Sequence, residues 1–225
     1  MNYHLQIIYL SLKVAFLSTL IILPIGAYLG WLFSRKNFWG KTLLDGFVHV
    51  PLVLPPVVTG YFLLIILGPS GYIGKYLDHM FGIRFAFTWK AAIIAAGVVS
   101  LPLLVRSVRV AVDAVDPQLE DAARMLRASE LNIFFTITLP LAINGIIAGA
   151  VLAFARALGE FGATIIFASN IPGKTQTIPL AIFTMINQPN GEAKAHVLIY
   201  VSIGLAYLSM LINEFLLYRF KYVKR

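Results

Sequence analysis

The chain has 225 residues, 59% of them apolar and 12% charged, with a formal net charge of +8 and a mean hydropathy of +0.83. Soluble domains carry about 25% charged residues, so a soluble enzyme is excluded and an integral membrane protein with little mass outside the bilayer is expected. The positive charge then reads as the bias of membrane loops rather than a nucleic-acid footprint, and the absence of cysteine excludes disulfides and thiolate metal sites.

The first uncharged stretch, residues 14–33, follows Lys13 and ends at Ser34-Arg35-Lys36. No small-x-small cleavage site follows, so it is predicted as a retained helix with a stop-transfer flank. The second, residues 46–68, contains Pro51, Pro55 and Pro56. These prolines remove backbone donors and predict a broken or kinked helix buried among others. The third, residues 91–112, holds Pro102 and ends with Arg106 and Arg109. A polar loop, residues 113–140, precedes a fourth stretch at 141–169, which carries Arg156 and Glu160. Residues 178–186 are apolar but too short to cross ~30 Å of hydrocarbon, and read as a surface or re-entrant helix. The fifth stretch is 195–218.

The expected fold is therefore an all-α integral membrane protein, a single transmembrane domain over residues 1–225 with about five membrane helices. An odd count puts the termini on opposite sides. Eleven Lys and Arg residues fall in the segments on the side of the C-terminus and six on the other, which predicts a cytoplasmic C-terminus and an external N-terminus. His4, His49, His79 and His196 lie far apart, so no metal site is expected, and no catalytic or cofactor-binding group is evident.

The loop at 113–140 is the most informative segment. Asp116 followed by Pro117 has the pattern of a helix N-cap with proline in the first turn. Leu119, Ala122, Ala123 and Leu126 then share one face, while Glu120, Asp121, Arg124 and Arg127 lie off it. A second short helix is expected from Ser129 and Glu130, with Pro140 closing the unit at the bilayer. Periodicity alone is equally compatible with a helical hairpin that only links two spans.

Asp121-Ala122-Ala123, then Arg127, then Ile137-x-Leu139-Pro140 resembles the EAA-x3-G-x9-I-x-L-P loop of bacterial ABC importer permeases. Two positions depart from that pattern: the acid is Asp121 with Glu120 beside it, and Arg127 stands where the family has glycine. The resemblance implies a type I importer architecture in the bacterial inner membrane. It also implies a coupling helix that docks in a cleft of a cytoplasmic ATPase subunit. The segments GKTLLDGFVHVPLVLPPVVTGYFLL and FARALGEFGATIIFASNIPGKTQTIPLAIFT extend the likeness to the permease subunit of molybdate ABC transporters. The GEFGA run is similar in sulfate and tungstate permeases, whereas the LPP and NIPG…TIPLAI segments favour molybdate. Members of this family work as permease homodimers with two ATPase subunits, which bind ATP and Mg, and an external binding protein. No cofactor is implied for this chain.

Arg156 and Glu160 stand one helical turn apart and can pair. Charges at this depth are costly, so they are expected to face the bundle interior or a partner subunit. Two roles stay open: an ion pair that locks the helix, or a group that attracts or gates a passing anion. Hydroxyls of Thr59, Ser100 and Thr164 either line the path or bond back to their own helices. Gly145, Gly149, Gly159 and Gly162 suggest close helix contact across a dimer. A membrane-embedded enzyme would need a cluster of acids, histidines or a nucleophile-base pair at bilayer depth. A secondary transporter would show repeated halves. Neither pattern is visible. Gly173-Lys174-Thr175 lacks the earlier glycine of a phosphate-binding loop, so ATP hydrolysis is expected in a separate subunit.

Overall fold

The computed structural model describes residues 3–222, which are helical throughout apart from turns and connections. Helix α1 covers Tyr3–Arg35, α2 Lys41–Val53, α3 Pro56–Leu67, α4 Gly74–Phe81 and α5 Trp89–Asp113. After α6 (Pro117–Met125) and α7 (Glu130–Ile133), a π-helical turn at Phe134–Thr138 leads into α8 (Leu139–Leu158). Three more helices follow: α9 (Gly162–Phe167), α10 (Ile178–Ile186) and α11 (Glu192–Tyr222). Of the C-terminal cations counted above, Lys224 and Arg225 lie outside the described residues.

Helix α5 is the central strut. Its Ala91, Ala92, Ala95, Ala96 and Ser100 are fully buried, and α1, α3, α8 and α9 all pack on it. Small side chains let the neighbouring backbones approach, which is how helices associate where lipid is as apolar as the helix surface. Gly145 and Gly149 of α8 serve this purpose inside one chain. A Cβ on Gly145 would lie 2.3 Å from Ala111 Cβ, and one on Gly149 would lie 2.7 Å from Ser107 Cβ. This corrects the expectation that the pair contacts a second copy, because α5 already occupies that face. Likewise Gly162 abuts Pro56, and Gly60 sits against the Ala163 backbone, where a Cβ would be 2.6 Å from the carbonyl oxygen. The contact joins α3 to α9.

The second predicted stretch is broken at its prolines, as expected: α2 and α3 meet at a 116° bend around Leu54-Pro55. Proline at 55 and 56 cannot donate to the preceding turn, so α2 stops at Val53 and α3 starts afresh at Pro56. The twelve residues of α3 reach only about 18 Å, less than a bilayer core. The fourth stretch begins earlier and ends earlier than 141–169, as a continuous helix from Glu130 to Leu158. Pro140 does not close the unit; the π-turn before it, in which Leu139 N–H donates to Phe134 O, accommodates the missing donor and lets the helix run on. Among the described residues, four helices are long and apolar enough to cross a membrane, or five if α2 and α3 form one span.

The ends are sorted to opposite faces. Arg35, at the end of α1, contacts Glu120 of α6, whereas Ile7, near the start of α1, packs with Ala195 and Leu198 at the start of α11. The loop at 113–140 therefore lies at one end of the bundle and the starts of α1 and α11 at the other.

Candidate coupling site and buried ion pair

Local chemistry shapes the loop. Asp116 Oδ1 accepts from Gln118 N–H at 2.9 Å, and Pro117 occupies the first turn, where its missing donor costs nothing. At the other end, Arg127 N–H donates to Arg124 O at 2.9 Å and Ala128 N–H to Ala123 O at 3.1 Å. This pair of bonds is a Schellman cap, and it requires the left-handed conformation at Arg127, whose φ is 61°. Arg127 thus adopts the backbone shape for which the family pattern supplies glycine. Arg127→Gly is expected to stabilise the permease by about 1 kcal/mol, because an L side chain is strained at this φ. A rise in the thermal midpoint of the solubilised protein, with the helical content unchanged, is the measurement; an unchanged or lower midpoint counts against it.

The face expected to be apolar points outward. Leu119, Ala122, Met125 and Leu126 are exposed, the last two at 85% each, and Ala123 is half-buried. The inward residue is instead Glu120, 2% exposed. Its carboxylate accepts from Arg35 Nε at 3.0 Å and from Thr138 Oγ1 at 2.6 Å, while Arg35 Nη2 donates to Val115 O at 2.7 Å. One acid therefore ties together the end of α1, the loop helix and the turn that opens α8. Asp121 stays on the surface and pairs with Arg124 at 2.6 Å. Arg124 also reaches Glu130 at 2.7 Å. These two carboxylates, Glu130 foremost, raise the guanidinium pKa further above its ordinary value. Lys36 completes the network with a 2.9 Å contact to Glu130. Ile137 and Leu139 are half-buried in the turn, and Pro140 is exposed.

Arg35 and Thr138 are functional candidates that sequence spacing does not reveal. Arg35 counts there only as a stop-transfer charge, and nothing local links it to an acid 85 residues away.

At the far end of α8, Arg156 Nη1 lies 2.8 Å from Glu160 Oε2. The helix stops between them, at Leu158, and Glu160 Oε1 accepts from Ala163 N–H at 2.7 Å. Glu160, with its side chain 1% exposed, therefore both neutralises Arg156 and caps the start of α9; Arg156 remains 30% exposed. Thr59 on α3, Ser100 on α5 and Thr164 on α9 are all buried, on three helices that pack on one another. Thr59 Oγ1 and Ser100 Oγ have no hydrogen-bond partner, so neither bonds back to its own helix. A cavity of about 550 Å³ beside this break is lined by Ala155, Gly159, Phe161, Ile182 and Ile203 among others, and by none of the five predicted path residues. Its wall is apolar. Among the described residues no group of three His, Asp or Glu side chains is placed to hold a metal ion.

The sequence pattern of the family described as "Binding-protein-dependent transport system inner membrane component" matches residues 22–221. The molybdenum transport system permease protein ModB of Escherichia coli strain K12 is 56% identical over 211 residues, covering 94% of this chain and 92% of that one. ModB of Haemophilus influenzae is 52% identical, with 92% and 90% covered. The sulfate transport system permease protein CysT of Salmonella typhimurium is 34% identical, with 88% and 72% covered. Among solved structures, a bacterial alginate ABC transporter in complex with an alginate-pentasaccharide-bound periplasmic protein superposes with a TM-score of 0.73 at 18% identity, covering 96% of this chain and 77% of that one. At that identity the likeness establishes the fold.

Proposed function

The chain belongs to the family of binding-protein-dependent transport system inner membrane components, and from that membership we propose that it is the membrane-spanning permease of an ATP-driven importer that passes molybdate into the cytoplasm. The observation that carries the substrate is the 56% identity to a molybdenum permease over 94% of the chain, against 34% to a sulfate permease. Tungstate shares molybdate's charge and shape, so the same path would carry it.

The working assembly is two copies of this chain, two cytoplasmic ATPase subunits that bind ATP and Mg, and an external binding protein. The N-terminus lies outside and the C-terminus in the cytoplasm, as the excess of Lys and Arg on the loop side favours. The outward face of Leu119, Ala122, Met125 and Leu126 supports an ATPase contact: an apolar strip on a short helix at the end of the bundle suits a groove in a partner. Behind it, the Glu120 contacts make the loop one rigid piece with α1 and α8, so a push on the loop reaches both helices. In the bundle, an oxyanion path needs donors and little fixed negative charge. Glu160 meets that demand, since Arg156 and the Ala163 amide neutralise it. The unpartnered hydroxyls of Thr59 and Ser100 are donors available to a passing anion when the helices part.

Leu126→Asp tests the docking surface. The side chain is exposed, so the permease should reach the membrane at its normal level. The ATPase should be lost from the purified complex and transport should fall at least tenfold, since a charge forced into an apolar contact without a partner costs several kcal/mol. Normal co-purification together with normal transport would refute the assignment.

A further inference from the structure

At the end of the bundle opposite the coupling loop, a cavity of about 780 Å³ opens between the first three turns of α1, the connection before α5 and the turn at Gly173. Four cations line it, Lys13, Arg84, Lys90 and Lys174, and no acid does. Arg84 is already held by Asp78 at 2.9 Å. Among the described residues Lys13, Lys90 and Lys174 make no ion pair, and Lys13 Nζ rests 4.0 Å from the centre of the Trp89 ring. Three uncompensated ammonium groups around one cavity repel each other and create a positive potential that an anion relieves.

The residues around the cavity have the pattern of a membrane–water interface. Lys13 is the last charge before the 20 uncharged residues 14–33, and Trp89 and Lys90 open α5, whose next charge is Arg106. The uncharged stretches of two membrane helices thus begin side by side, marked by tryptophan over lysine, as at a membrane–water interface. The apolar Ile7, Leu10 and Phe87 line the cavity together with the lysines. Its far side is preformed: Tyr3 Oη donates to Gln176 Oε1 at 2.7 Å, and Gln176 Nε2 donates to Asn170 Oδ1 at 3.0 Å. A wide, half-apolar cavity with cations spread round its rim fits a headgroup with the first carbons of its chains better than a small free ion, which needs converging donors.

We propose that this pocket binds the phosphodiester headgroup of an anionic phospholipid. A zwitterionic lipid brings an amine that the lysines repel, so selectivity follows charge. The site does not depend on which oxyanion the permease carries.

The test uses the delipidated complex in mild detergent. Phosphatidylglycerol should raise its thermal midpoint by about 3–5 °C by binding the folded state, while phosphatidylcholine or inorganic phosphate should raise it little. Combined Lys13→Gln, Lys90→Gln and Lys174→Gln should remove most of the shift, and the three lysine-to-arginine changes should keep it. Where the glutamine triple does not assemble, each single glutamine variant should lower the shift. The proposal is overturned by an equal shift with phosphatidylcholine, by a full shift with inorganic phosphate alone, or by glutamine variants that keep the full shift. It is also overturned if those variants keep the lipid shift but lose stimulation of ATP hydrolysis by the binding protein, which would make the surface a protein dock.

Discussion

Glu120→Leu is expected to destabilise the permease by about 3 kcal/mol or more and to cut recovery of the assembled complex sharply. The change leaves the Arg35 guanidinium, 11% exposed, without its counter-charge, and breaking a buried pair from one side costs about 3–5 kcal/mol. Thr138 loses its acceptor at the same time. Pairing the change with Arg35→Met removes the stranded charge, so the double variant should regain part of the loss. Complex yield and thermal midpoint measured across the four proteins decide it. If Glu120→Leu alone behaves as wild type, the carboxylate does not join the loop to α1 and α8.

The second large effect is at Arg156 and Glu160. Arg156→Gln leaves a carboxylate that is 1% exposed without a cation, whereas Glu160→Gln leaves a half-buried guanidinium and keeps an oxygen for the Ala163 amide. The arginine change should therefore be the more damaging to assembly. The double change should be milder than Arg156→Gln alone, because no charge is left over. Uptake separates the two open roles. A double variant that assembles but does not transport assigns Arg156 to the passing anion; one that assembles and transports fully makes the pair a structural brace.

Features written in short stretches of sequence are the ones that can be read from it. The caps at Asp116 and Ser129 are local: each side-chain oxygen meets an amide two or three residues on. The all-α membrane class follows from composition. The turn around Pro55 is legible because proline acts on its own helix, but the 116° angle depends on how α3 seats its Gly60 on Ala163 of α9. The fourth helix illustrates the limit twice. Its start passes through Pro140 because a π-turn absorbs the missing donor, and its stop at Leu158 depends on Glu160 turning to cap Ala163; neither event shows in hydropathy. The loop helix is the sharpest case. Helical spacing groups Leu119, Ala122 and Leu126, which the fold leaves exposed, but it cannot say which side meets the bundle, and that is decided by Arg35, a residue distant in sequence. The glycines of α8 pose the same problem, since small residues at i and i+4 announce close contact without naming the partner, and the partner is α5.

Transport tests a molybdate permease driven by a separate ATPase most directly. Membrane vesicles holding this chain with its ATPase subunit, given the external binding protein and radiolabelled molybdate, should accumulate label only with ATP inside reach of the ATPase. A hundredfold excess of sulfate should leave that uptake nearly unchanged. Uptake that proceeds without ATP, or that sulfate suppresses as well as unlabelled molybdate does, would contradict a molybdate permease driven by a separate ATPase.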